Sequence, residues 1–356
     1  MEEQIVKKKR GRPPKNSASD EESSDNDANS EDKVLSEFTG GPRISPTATI
    51  TKPEYGKNEP YMWFVTTQVS HMATLFKTLS HLLPTTTVVF GDGGWRITDI
   101  NSNKTAIISL RVTGATMAAG VYECNTNYRV RWPVDDLATR LRMCRRAEVM
   151  AMELRGKNPK HLHLIFSQEN RITEMDLQLC SVGDEQLDPP TLLYHTQVDL
   201  PADQFRDVVN SVKGDSMIRD ITFTKHSRKF TITVQTAVGP ISTHFIPNKG
   251  EDSVRFLARH SEQGQLESVT NDDGDVLKST LSLKEIIDFS GVTKASKWVS
   301  INMPEFNPNA EPQQIPLRMS YSIAALGVIS FLLAPKMDED EPPATTGNSE
   351  SNDEDE

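Results

Sequence analysis

Through the middle of the chain, apolar and polar residues alternate with the period of two that turns one face of a strand inward. Phe230, Ile232 and Val234 alternate with Lys229, Thr231 and Thr233, and Ile221 and Phe223 with Thr222 and Thr224. Leu162, Leu164 and Phe166 interleave with His161, His163 and Ile165, which predicts a strand buried on both faces. Gly91-Asp92-Gly93-Gly94 joins Val88–Phe90 to Trp95–Ile97 and predicts a hairpin, since glycine reaches the positive φ such turns require. Four segments switch to helical spacing. Residues 71–83 stack Met72, Leu75, Phe76, Leu79 and Leu82, and residues 133–146 stack Val134, Leu137 and Leu141 behind Pro133. Residues 201–213 stack Phe205, Val208, Val209 and Val212 behind Pro201, and residues 282–291 stack Leu283, Ile286 and Ile287. The pattern predicts an α+β chain of mostly antiparallel sheet. Each half carries two short helices that lay one face on a sheet and leave the other free.

The two halves share a motif. Thr67-Gln68-Val69 with Phe76 recurs 129 residues later as Thr196-Gln197-Val198 with Phe205, and the same offset lays Ala73 on Ala202, Lys77 on Arg206 and Leu79 on Val208. This predicts a duplicated strand-then-helix unit. A chain of 356 residues has room for two domains of ordinary size.

Charge is distributed unevenly. The net charge is -11, but residues 1–58 hold ten Lys/Arg and eleven Asp/Glu, and residues 338–356 hold nine acids and no base. That leaves 29 bases against 30 acids between the two ends, a nearly balanced core. Both ends lack the apolar content that offsets chain entropy and are expected to be disordered. Cys124, Cys144 and Cys180 show no CxxC spacing and are expected to be small buried thiols in a reducing compartment. No apolar run approaches the ~18–20 residues of a membrane span, and the charged N-terminus has no signal-type apolar stretch, so a soluble intracellular protein is expected.

The free helix faces carry Lys77; Arg140, Arg142, Arg145 and Arg146; Arg206 and Lys213; and Lys284, with Lys294 and Lys297 just beyond. His71 and His81 accompany Lys77, and Asp135, Asp136, Asp207 and Asp288 dilute the charge. Any one of these faces reads as ordinary solvated surface. Their recurrence on all four helices predicts one basic side, which attracts a phosphate backbone without reading sequence.

The arm holds a second basic element, Lys7-Lys8-Lys9-Arg10-Gly11-Arg12-Pro13-Pro14-Lys15. It fits a nuclear-import signal, an AT-hook whose arginines enter a narrow minor groove, or a non-specific basic arm. Phosphorylation of Ser17, Ser19, Ser23 or Ser24 would weaken DNA binding by the adjacent bases.

Enzymatic signatures are missing from the sequence: it holds no HExxH, GxxxxGK[ST], GxGxxG or GxSxG. His161 and His163 could share a strand face around a metal, but no Cys, Asp or Glu lies near them in sequence, so they read as ordinary strand residues. A nuclease would need carboxylates clustered about a metal, and the clustered acids here lie in the tails. No catalytic residue, metal or cofactor is expected.

Near the end, Phe331-Leu332-Leu333-Ala334-Pro335-Lys336 runs into Met337-Asp338-Glu339-Asp340-Glu341. This resembles the Leu-Ala-Pro-Lys ending and acidic tail of the proliferating cell nuclear antigen family, the eukaryotic DNA sliding clamps. Ile315-Pro316-Leu317 leading to Tyr321-Ser322-Ile323-Ala324 and Gly327 is similar to the family's last strands, and Tyr122-Glu123-Cys124 to its Tyr-Arg-Cys strand. Glu185-Gln186-Leu187 with Pro190 and Tyr194 resembles its interdomain connector, and Leu200-Pro201 with Phe205 the start of its second-domain helix. The likeness is collinear over about residues 60–340.

The resemblance implies clamp domains at 59–182 and 195–337, a connector at 183–194, and three chains closed head to tail through edges at about 171–180 and 236–246. Its helices would line a hole around duplex DNA. It further implies a pocket for partner peptides built from Ile100, Ile107, Leu187, Pro316, Leu332 and Pro335, with Ala334 offering backbone contacts. Leu332 stands where the family often has an aromatic, and Ile100 where methionine is common. Implied partners are duplex DNA, a DNA polymerase, a clamp loader, replication and repair proteins with clamp-binding peptides, and further copies of the chain. The implied place is the nucleus, or a viral replication compartment for a large DNA virus. The competing reading is a DNA-binding scaffold that forms no closed ring.

Overall fold

The computed structural model describes residues 50–113, 121–183, 187, 192, 194, 196–250, 253–259, 266–268, 276–304 and 315–336. The first half contains β1 (Tyr61–Thr66), α1 (Val69–Leu82), β2 (Thr85–Gly91), β3 (Gly94–Ile100) and β4 (Ala106–Thr113). It continues with β5 (Val121–Cys124), β6 (Tyr128–Pro133), α2 (Val134–Met143), β7 (Val149–Arg155), β8 (His161–Gln168) and β9 (Arg171–Gln178). The second half contains β10 (Thr196–Pro201), α3 (Ala202–Val212), β11 (Asp220–His226), β12 (Lys229–Thr236), β13 (Gly239–Phe245), β14 (Arg255–Arg259) and β15 (Leu266–Ser268). It ends with β16 (Leu277–Ser282), α4 (Leu283–Phe289), a 3-10 turn at Ser290–Ala295, β17 (Trp298–Met303), β18 (Leu317–Ile323) and β19 (Gly327–Leu333).

The strands form three antiparallel sheets. Their orders are β5-β1-β7-β8-β9, then β15-β14-β10-β17-β18-β19-β4-β3-β2-β6, then β13-β12-β11-β16. The central sheet crosses from one half to the other where β19 pairs β4, Gly327 opposite Val112 through Leu333 opposite Ala106. The described residues therefore belong to one body rather than two separable ones. β9 and β13 close their sheets as free edges, at the two stretches where edges are expected.

Alternation in the strands follows burial. Phe230, Ile232 and Val234 of β12 point into the core and their neighbours do not. All five stacked residues of α1 are buried, as are Val134, Leu137 and Leu141 of α2. Gly91 pairs Gly94 across a two-residue turn, and the positive φ, 129°, falls on Gly94 at the start of β3 rather than on Asp92 or Gly93.

Several expectations are corrected. The two Thr-Gln-Val triplets are not equivalent: Thr196–Val198 open β10, whereas Thr67 and Gln68 leave β1 and Val69 starts α1. The helices themselves align 133 residues apart, which lays buried Val69, Met72, Phe76 and Leu79 on buried Ala202, Phe205, Val209 and Val212. The sequence match is thus one helical turn out of phase, since a four-residue slip almost preserves a helix face. Lys77 then falls on Asn210 and Arg206 on Ala73, so the two bases are not counterparts. β8 is buried on both faces only at Ile165 and Ser167; His161 is exposed and His163 half-buried. The three cysteines are free and half-buried rather than buried.

The arm does not end at 58. Ile50 packs with Tyr61 and Val65 over Trp63, Ala151 and Ile165, on the face of the first sheet away from the main core. Tyr55 stacks on Tyr61 with centroids 3.9 Å apart, and its hydroxyl donates to Glu153 Oε1 at 2.7 Å. Glu153 is 4 % exposed and also accepts from Arg155 Nε at 2.6 Å, so the buried charge is compensated. Lys52 pairs with Glu123 and lies over the Tyr61 ring at 4.9 Å. The ordered core therefore begins by Ile50, in a segment whose polar composition hides a tyrosine and an isoleucine that find this face.

Candidate nucleic-acid and partner interfaces

The helices form one contiguous layer. α1 packs on α2, α1 and α3 both pack on the 3-10 turn Ser290–Ala295, and α4 touches α1 and α3. Each helix spends its apolar face on the core, so the polar faces lie together on the other side of that layer. Lys77, Arg142, Lys213, Lys284, Lys294 and Lys297 are exposed there, and Arg140 and Arg206 are half-buried. Arg140 Nη1 is tied at 3.2 Å to the Asp136 carbonyl one turn back. Arg145 and Arg146 are exposed but lie past the end of α2, in the turn before β7, rather than on the helix face. Lys213 caps α3, Lys294 sits in the 3-10 turn, and Lys297 just precedes β17.

Two groups on this layer have perturbed protonation. Burial lowers the His71 imidazole below its usual value of 6.5, so at neutral pH it adds no charge to the basic face. Burial raises the Asp288 carboxyl, against the opposing pull of Lys284, His81 and Lys213. Those neighbours come from α4, α1 and α3, which places charges from three helices around one carboxylate. Beside it lies a polar cleft of about 110 Å³ lined by His81, Leu82, Asn101, Ser102, Asn103, Lys284, Glu285 and Asp288. Thr105 donates to the buried Glu285, so the β3–β4 loop of the first half is fastened to α4 of the second.

The expected pocket residues gather where the two halves meet. Ile100 pairs Ile107 across β3 and β4, and Ile107 pairs Leu332 across β4 and β19. Residues opposite each other share a face, so these three side chains form one apolar row. Ile100 is 39 % exposed, Ile107 is half-buried and Leu332 is buried. Pro316 leads into β18 beside this row, while Ala334 and Pro335 leave β19 at the same corner. The Ala334 amide already donates to Thr105 O at 3.1 Å, so of its backbone groups only the carbonyl is left to offer a partner. Leu187 is half-buried, and most of its neighbours in 183–194 lie outside the described residues.

Arg318 is not singled out by the sequence reading and Tyr194 only as part of the connector likeness, yet the two build the rim of this corner. The Tyr194 hydroxyl donates to Pro316 O at 2.6 Å, and the Arg318 guanidinium lies 4.5 Å from the Tyr194 ring centre. Burial raises the Tyr194 phenol, which keeps it a neutral donor. The signal was available: Arg318 breaks the run of small residues at the outward positions of β18, where Ser320 and Ser322 follow it. The arm residues Lys8, Lys9, Arg10, Gly11, Arg12, Pro13 and Lys15, like the tail 338–356, lie outside the described residues. Among the described residues no group of three or more His, Cys, Asp or Glu side chains could hold a metal.

Comparison with known proteins gives two findings. Residues 65–186 match the N-terminal domain of proliferating cell nuclear antigen. The chain is also 23 % identical over 252 residues to a protein of Chaetomium thermophilum named proliferating cell nuclear antigen, covering 70 % of this chain and 88 % of that one.

Proposed function

Placing the chain in the proliferating cell nuclear antigen family on these two matches, we propose that it is a DNA sliding clamp, a processivity factor that encircles duplex DNA and holds a polymerase to it. The observation that carries the ring is topological. Strand order β5-β1-β7-β8-β9 recurs as β14-β10-β17-β18-β19, and β4-β3-β2-β6 recurs as β13-β12-β11-β16. In this correspondence β9 is the counterpart of β19 and β13 the counterpart of β4. Inside the chain β19 pairs β4; β9 and β13 are left as edges. Pairing β9 of one copy with β13 of the next reproduces the internal junction between chains, and a head-to-tail contact that closes makes a ring. Ile172 on β9 is 59 % exposed and Ile241 on β13 is 52 % exposed, apolar groups that an unpaired edge normally avoids.

With three chains the helix layers line the hole, and the bases of α1 to α4 face the phosphates. The contacts are electrostatic and sequence-independent, so the ring is retained by topology and remains free to slide. The protein performs no chemistry of its own in this reading. Docking of polymerase, clamp loader and repair proteins takes place at the Ile100–Ile107–Leu332 corner, and the basic arm serves nuclear import or added DNA contact. Light scattering tests the assembly: three protomer masses are expected, falling to one when Ile172→Pro removes a ladder donor from β9. A wild-type monomer at micromolar concentration would favour the open scaffold instead.

A further inference from the structure

Polar residues predominate on the outward face of the central sheet, and one continuous apolar row crosses it. A row of Thr98, Ser109, Ser330 and Ser320 crosses β3, β4, β19 and β18. The adjacent row along the same four strands reads Ile100, Ile107, Leu332 and Arg318. Three apolar side chains thus run directly into a guanidinium, across three strand spacings or about 14 Å.

Arg318 is held rather than loose. Its Nη2 donates to Leu192 O at 3.1 Å, and its central carbon lies 4.5 Å from the ring centre of Tyr194, which is 4 % exposed and tied to Pro316 O. A guanidinium has five donors in a fixed fork, and the Leu192 carbonyl and the Tyr194 side chain engage only part of it. A fork fixed in direction at the end of an apolar row is suited to a carboxylate, which it binds in two-point fashion more strongly than a neutral group.

We propose that Arg318 makes the docking groove bipartite: the partner peptide places apolar anchors on Ile100, Ile107 and Leu332 and an Asp or Glu side chain on Arg318. This rests on the docking reading of that corner. The groove length fixes the spacing. A helical turn rises about 5.4 Å, so the acid lies one to two turns from the anchors.

The test uses fluorescein-labelled peptides with one helical turn of Leu and Phe anchors, carrying Glu or Gln one to two turns to either side, titrated by anisotropy into the full chain. For one placement, Glu should bind about tenfold or more tighter than Gln, as a charge-assisted hydrogen bond provides. Arg318→Gln should erase that preference, so that the Glu and Gln peptides bind alike, and Arg318→Lys should restore only part of it. Equal binding of Glu and Gln peptides at every placement, with loss of both in Leu332→Glu, would overturn the role of Arg318 and keep the docking corner. Binding that ignores Leu332→Glu, or no binding to the wild type, would overturn both.

Discussion

Gly327 sits at the seam where the two halves become one sheet, opposite Val112 of β4 and Ile323 of β18. A Cβ placed there would lie 2.1 Å from Arg111 O and 3.0 Å from both the Arg111 carbonyl carbon and Val112 Cα. All three are backbone atoms, so no side chain can swing away. Carbon and oxygen in close contact settle at about 3.3 Å or more, so the strands must separate by roughly 1.2 Å. That breaks one or two ladder hydrogen bonds at about 0.5–1.5 kcal/mol each and adds overpacking of about 1–3 kcal/mol. Gly327→Ala should therefore destabilise the chain by roughly 1.5–6 kcal/mol. Urea denaturation followed by tryptophan fluorescence reads this as a fall in midpoint. Gly156→Ala is the control: its φ is 78° but nothing lies within 4 Å of an added Cβ, so only the left-handed cost of about 1–2 kcal/mol applies. If Gly327→Ala costs less than the control, the close β4–β19 approach is not what holds the seam.

Truncation separates arm from core: removing residues 1–49 should leave the melting temperature unchanged, whereas removing 1–58 strips Ile50 and Tyr55 from the Trp63 face. The second deletion should cost about 2–4 kcal/mol of stability, from one half-buried aliphatic side chain and the uncovered Glu153 contact; equal melting of the two would restore the boundary at 58. Asp288 sets a pH prediction. Its carboxyl is raised above the usual 3.8 by burial, so its contribution is fully present below the ordinary carboxylate range and lost as pH rises through the raised value. At neutral pH the charge is a liability, and Asp288→Asn should melt higher there but not below about pH 3. The same change frees Lys213, Lys284 and His81 from an opposing charge and should extend DNA retention to higher salt; a lower melting point at pH 7 would contradict the assignment. Charge reversal of Arg140, Arg142, Arg145 and Arg146 together should abolish polymerase stimulation on primed DNA while the ring mass is unchanged. Unaltered stimulation would remove those four from the DNA-facing surface.

Much of the architecture was legible because strand and helix periods differ so clearly here. Alternation in β11 and β12, the glycine hairpin and the four helix faces follow from which side of each element meets the core. The phase of the internal likeness was not legible, because Thr-Gln-Val fits either a strand or the exit from one. Only burial distinguishes Met72 from Phe76 as the partner of Phe205. The Ile50–Asn58 strap was hidden by its polar surroundings, since Tyr55 and Ile50 gain meaning only opposite Glu153 and Trp63. At the docking corner the apolar members were recognisable from a family likeness; Arg318 stands out in the sequence as a base among small outward residues, but its place beside the apolar row comes from the strand register that sets it opposite Leu332.

The central claim is encirclement, and loading on circular against linear DNA tests it most directly. Clamp loaded with its cognate loader and ATP onto nicked circular DNA, then gel-filtered at moderate salt, should stay with the circle and leave once the circle is cut. Equal retention on circular and linear molecules, or release from both, would contradict a closed ring that slides.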